Sequence, residues 1–151
     1  MIVLTLPYPI SANRYWRPVR IGQHITIVPT TEAKQYRKQV VEIVLRAGIV
    51  NPLRGRVAVD VQLFPHRPLD WVKRARKDPI SWDDTVQCLD LDNANKVLLD
   101  SLKGAAIEDD KWVRRLRSER MEPDGEARVI VRIEQLVVAP QPQGDLLEAV
   151  A

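Results

Sequence analysis

Arg56-Val-Ala-Val-Asp-Val-Gln-Leu-Phe64 alternates apolar and polar side chains. Val57, Val59, Val61 and Leu63 share one face, and Ala58, Asp60 and Gln62 share the other. A period of two is that of a half-buried strand, so this segment belongs to a sheet with one face on a core. On either side the period changes to that of a helix. Upstream, Ala33, Tyr36, Val40, Ile43, Val44 and Ala47 recur at helical spacing, while Lys34, Arg37, Lys38 and Glu42 lie off the stripe. Thr30 or Thr31 supplies the cap and Gly48 ends the helix. Downstream, Asp92 to Lys103 reads as a second helix, with Ala94, Val97, Leu98, Ser101 and Leu102 facing inward and Gly104 closing it.

Further out, Ile2 to Leu6 is a β-rich run stopped by Pro7 and Pro9. Residues 7–29 read as irregular, with a small strand over 22–28. Residues 112–121 and 127–138 read as two strands of a hairpin, turned by Glu122-Pro-Asp-Gly-Glu126. Residues 65–88 carry three prolines, two tryptophans and five Lys/Arg without sustained periodicity. They predict a long basic excursion with a helical turn near 69–77, of the kind that more often serves function than idles. Pro140-Gln-Pro-Gln-Gly144 predicts a flexible tail over 137–151. The resulting expectation is one α/β (α+β) domain over residues 1–136, a mixed sheet with two main helices packed on it.

The chain has 151 residues, 45% of them hydrophobic, which suits one domain with a real core and argues against disorder. No run of 18 apolar residues exists, so no membrane span is expected. The N-terminus lacks the basic region of a signal peptide, and Cys88 is the only cysteine. A disulfide framework and a Cys-based zinc site are thereby excluded, and a reducing cytoplasm is expected. His24 and His66, the two histidines, read as surface residues rather than ligands. Net charge is +3, but residues 14–76 carry 13 basic and 4 acidic side chains while 78–110 carry 2 and 9. A basic surface around an acidic island suits an enzyme that holds a metal ion against nucleic acid. Incidental clustering of surface charge is the plainer alternative.

The acidic island contains a constellation. Asp90 and Asp92 are two apart, where extended backbone points both carboxylates the same way. Lys96 follows Asp92 by four residues, one helical turn. Asp109 and Asp110 follow the helix. Mg²⁺ takes oxygen ligands, keeps several waters and commonly uses few carboxylates plus substrate phosphate. It polarises a phosphate and supplies hydroxide, while a lysine stabilises transition-state charge. The bland alternative has Asp92 capping the helix and pairing with Lys96 on a wet surface, worth a few tenths of a kcal/mol.

Asp90-Leu-Asp-Asn93, Lys96, Asp100, Leu102, Gly104 and Asp109-Asp110 together resemble the signature of the RusA-type Holliday junction resolvases. So does Leu6-Pro-Tyr-Pro-Ile-Ser-Ala-Asn-Arg-Tyr-Trp16, followed by a helix around Tyr36-Arg37. The resemblance runs from about residue 2 to residue 136. It implies a homodimeric, Mg²⁺-dependent endonuclease, with Mn²⁺ able to substitute, that nicks four-way DNA junctions in recombination and repair. It requires no small-molecule cofactor and no membrane. Asp90, Asp92 and Asp110 match the family's metal-binding aspartates, and Lys96 its essential lysine. The loop before Asp110 is one residue shorter than the family's, so Asp109 stands as an alternative third ligand. The 66–88 excursion is longer than in the shortest members.

Asn13, Arg14, Tyr15 and Arg17, around Trp16, mix cations with aromatics, a pattern for phosphate contact and base stacking or for aromatic packing beneath a loop. Lys73, Arg74 and Arg76 lie between Trp71 and Trp82, as in a DNA-binding flap or a loop anchored by tryptophans. Two other functional classes stay open: a non-catalytic DNA-binding module of the same fold, and a related nuclease acting on flaps or other branched nucleic acid. For a dimer interface the sequence offers the outer face of the first helix or the edge of the 127–138 strand, where Val137 and Val138 prolong the apolar run.

Overall fold

The alternating segment forms β4 (Val57–Phe64) in a computed structural model that describes residues 1–136. It runs through the middle of a four-stranded sheet ordered β1-β6-β4-β5, with β1 Ile2–Pro7, β5 Val113–Arg120 and β6 Arg128–Gln135. β5 lies parallel to β4, whereas β6 lies antiparallel to both β4 and β1. The sheet is therefore mixed, as expected. In register, Leu4 stands opposite Val131, and Val131 opposite Val61. These residues, with Leu6, Val59, Leu63, Val129 and Ile133, form the sheet's half of the core.

The helical half comes from the two long helices. α2 (Thr31–Arg46) is capped by Thr30, whose Oγ1 accepts from the Ala33 N–H at 3.2 Å. It buries Ala33, Tyr36, Val40 and Val44, while Ala47 at its end is exposed. α4 (Leu91–Leu102) buries the whole expected stripe, Ala94, Val97, Leu98, Ser101 and Leu102. Ser101 Oγ donates to the Val97 carbonyl at 2.7 Å, which satisfies the one polar group of that stripe. Leu98 and Leu102 are fully enclosed, and each such side chain contributes about 1.5–3 kcal/mol of burial.

Two expectations fail. Residues 112–121 and 127–138 do not pair as a hairpin, because β4 inserts between β5 and β6. The Glu122–Glu126 turn instead crosses the end of β4, where the Met121 N–H donates to Leu63 O and the Arg67 N–H to Gly125 O. Composition agrees: β5 carries Arg114, Arg115, Arg117 and Arg120 and few apolar side chains for a buried central position, which suits an edge. β6 is interior and offers no edge for dimerisation. Residues 7–29 are also more regular than expected. They form α1 (Ala12–Tyr15), β2 (Trp16–Ile21) and β3 (His24–Pro29), the last two making a separate ribbon. Gly22, with φ of 61° at the first position of a two-residue turn, supplies what a type II′ hairpin needs.

The 65–88 excursion is ordered and anchored by its tryptophans. It contains α3 (Trp71–Lys77) and a 3-10 turn over Trp82–Thr85. Trp82 is buried, donates to Glu122 Oε1 at 2.9 Å and lies 6.2 Å from Trp71. Arg120 on β5 donates to the Asp83 and Val86 carbonyls, each at 2.7 Å. No helix among the described residues is long and apolar enough to cross a membrane. The expected tail, with Val137 and Val138, lies outside the described residues.

Candidate active site

Asp92, Lys96 and Asp100 succeed one another at four-residue intervals on α4 and so share one helix face. With Asn95 and Leu99 they form one wall of an open cavity of about 450 Å³. Trp16, at the root of β2, Leu116 on β5 and Asp110 line the rest. Asp110 comes from a 3-10 turn, Asp110–Trp112, that leads directly into β5. The parallel β4–β5 pairing therefore carries the second acidic segment back alongside α4, and Ser118 Oγ donates to Asn95 Oδ1 at 2.7 Å across that seam.

Each acid holds a distinct place. Asp90 is the N-cap residue of α4 in extended conformation, is exposed and makes no side-chain cap bond. It precedes the cavity and is not part of its lining. Asp92 follows it in the first helical turn. The segment before Asp90 is held by Tyr8, whose Oη accepts from the Leu89 N–H at 2.8 Å and donates to Cys88 Sγ at 3.6 Å. Burial pushes the Tyr8 phenol up to about 12, so it stays neutral.

Asp109 is engaged by its own turn. It accepts from the Lys111 N–H at 3.1 Å and lies 3.7 Å from Lys103 Nζ. Its pKa is lowered by hydrogen bonding with the Asp110 carboxyl first and by the Lys111 N–H next. Asp110 lines the cavity and Asp109 does not. Lys96 makes no ion pair with Asp92 among the described residues, so the plain surface pair is not formed.

Asp100 belongs to the signature quoted above, without a role assigned there, and lies on the same helix face as Asp92 and Lys96. It accepts a short hydrogen bond from Tyr15 Oη, which ties α1 to α4. Burial, and then that bond, push the Tyr15 phenol up to about 12. The i, i+4, i+8 spacing from Asp92 was the available signal.

The donor set is chemically suited to a hard cation. Carboxylates at Asp92, Asp100 and Asp110 and the amide of Asn95 present oxygen, with no thiolate or imidazole. Among the described residues, no three acidic, His or Cys side chains converge closely enough to enclose an ion by themselves. That arrangement fits an ion that keeps several waters and completes its shell with substrate oxygens.

The expected DNA contacts divide. Tyr15 is 1% exposed and packs edge-on against Trp16 at 4.3 Å, so no face is free for a base and its stacking role is withdrawn. Arg14 pairs with Glu32 at 2.9 Å, while Asn13 and Arg17 are exposed. Arg74 is bound within the excursion, to Asp70 at 2.9 Å and to the Thr85 carbonyl at 3.1 Å. Lys73 and Arg76 are exposed and lie outside the cavity.

The family model of the endodeoxyribonuclease RusA matches residues 7–134. The crossover junction endodeoxyribonuclease RusA of Shigella sonnei (strain Ss046) is 32% identical over 95 residues, covering 58% of this chain and 76% of that protein. The same-named proteins of Escherichia coli (strain K12), at 30%, and of Enterobacteria phage 82, at 32%, match with the same coverage. With a match over most of its length, this chain belongs to the RusA family of endodeoxyribonucleases.

Proposed function

We propose that this endodeoxyribonuclease is a Mg²⁺-dependent, structure-selective enzyme that nicks four-way DNA junctions at symmetric positions as a homodimer, in recombination and repair. The observation that carries the reading is the cavity on α4, lined by Asp92, Asp110 and a Lys96 that makes no ion pair among the described residues, in a chain of this family. Crossover junctions are the substrate named for its relatives.

Asp92 and Asp110, with Asp90 approaching from the N-cap, would hold the metal, and bound Mg²⁺ supplies Lewis acidity and a more acidic water. The protein's own work is positional. Lys96, one turn from Asp92 and without an ion pair among the described residues, would neutralise charge building on the scissile phosphate. Asp100 fixes Tyr15 and with it the Trp16 wall of the cavity. Tyr15 remains a neutral hydrogen-bond donor at working pH and does not serve as a base.

The test compares nicking of a fixed synthetic junction, a linear duplex and a flap, with and without Mg²⁺. Junction nicking only with metal is expected. Preferred flap cutting would favour the flap nuclease, and binding without cutting under any divalent ion would favour a non-catalytic module.

A further inference from the structure

The β2–β3 ribbon has no task in this mechanism, yet it grows from the wall of the catalytic cavity. Trp16 lines the cavity and is also the first paired residue of the ribbon, opposite Pro29. The root is clamped: the Thr30 N–H donates to Tyr15 O at 2.8 Å, and Thr30 Oγ1 donates to Arg14 O at 2.7 Å. Beyond that root the ribbon joins no other sheet. An isolated two-stranded ribbon is marginal in water. This one leaves Ile21 61%, Ile25 74% and Ile27 68% exposed, surface that awaits an occupant.

Charge selects the occupant. Between Asn13 and Thr31 the chain carries three arginines and no acidic side chain. Arg17 and Arg20 make no ion pair among the described residues. A second copy of the ribbon would set these arginines against their like, whereas phosphates complement them. The register places Arg20 and Ile25 on one face and Arg17 and Ile21 on the other, so each face is apolar near the tip and carries one arginine, Arg20 beside the tip and Arg17 toward the root. Strands of six residues reach about 20 Å, enough to pass through a DNA groove about 12 Å wide.

We infer that the ribbon is a wedge for the branch point of DNA. Ile21 and Ile25 lie against the faces of the base pairs that end where strands change partner, and Arg17 and Arg20 hold the flanking phosphates. Apolar side chains inserted between base steps cost unstacking energy, which is lowest where the stack is already interrupted. The ribbon thereby gives selectivity for branched over continuous duplex and brings the branch to the cavity at Trp16. This inference rests on the junction reading above.

The experiment uses a fixed four-way junction with 2-aminopurine beside the branch point or in mid-arm. It is titrated with the full chain carrying Asp92→Asn to prevent cutting, with and without Ile21→Thr and Ile25→Thr. Threonine keeps β-branching at exposed positions, so the ribbon is expected to fold. With the parent, fluorescence beside the branch should rise several-fold and mid-arm fluorescence should stay flat. The threonine pair should lose that rise and about tenfold of the junction-over-duplex preference, with duplex affinity unchanged. Should the pair perturb melting, Arg17→Gln with Arg20→Gln provides a second readout, a smaller salt slope and a reduced rise. A rise retained in the threonine pair overturns the wedge. So does a shift from dimer to monomer with the rise intact, which would assign the ribbon to self-association. Absence of any junction preference in the parent overturns the junction reading itself and is read from that protein alone.

Discussion

The residues of the cavity differ in what their loss should do. Asp92→Asn or Asp110→Asn should abolish cleavage and leave folding and junction binding largely intact, because an amide ligates Mg²⁺ poorly while lost negative charge favours DNA. Asp109→Asn should be milder, since Asp109 serves its own turn and Lys103. Single-turnover cleavage with a parallel binding titration checks all three, and equal loss in Asp109→Asn would reassign the third ligand. Lys96→Ala should lower the single-turnover rate by about 10²–10³, with Lys96→Arg a partial rescue. Normal cutting by the alanine variant would reduce Lys96 to a surface residue. Asp92 and Lys96 were legible as neighbours because helical phase is local and needs no fold to compute, whereas Asp110 was named from its acidic loop and the family resemblance. Asp100 stood in the signature without a role because its partner Tyr15 is 85 residues away, a contact that only the tertiary structure makes.

At the scale of elements, the excursion and the hairpin show where local pattern stops being informative. The two long helices were readable to within about a residue because an apolar stripe and a cap agree at each. The 112–138 pairing was misread because a turn signal states that the chain reverses, not that the strands beside it touch. The arginines of β5 are the mark of an edge strand. The same distinction separates the basic residues of α3. Arg74 is held by Asp70 and Thr85, so Arg74→Gln should cost about 1–2 kcal/mol and lower Tm by a few degrees without altering the salt dependence of junction binding. Lys73→Gln with Arg76→Gln should do the reverse if α3 meets phosphate, flattening the salt slope by about 0.9 for each contact removed and leaving Tm unchanged. Thermal melts and salt titrations of both variants decide whether α3 faces DNA.

The whole molecule bears a single α4 cavity among its described residues, whereas symmetric resolution of a junction cuts two strands. Two subunits related by a twofold axis supply paired cavities through one self-complementary interface. The sheet narrows where that interface can form. β6 is interior, and the β5 edge is lined with arginines that repel their own kind. β1 is the remaining edge: Ile2-Val-Leu-Thr-Leu-Pro7 carries no charge, and Val3 is 54% exposed. An uncharged edge of this type invites pairing unless it is blocked, and pairing with its own copy would extend four strands to eight. The chain should therefore be a dimer before DNA is added, with about 34.6 kDa expected from twice 17.3 kDa. Light scattering at micromolar concentration measures it. Val3→Lys places a charge on that edge and should shift the mass toward the monomer, with α4 and its cavity intact because Val3 lies outside the buried core. The shifted variant should nick one strand of a junction and lose the paired second cut. A variant that stays dimeric would move the interface to the outer face of α2, and a wild-type chain that remains monomeric on the junction would leave only single, unpaired nicks.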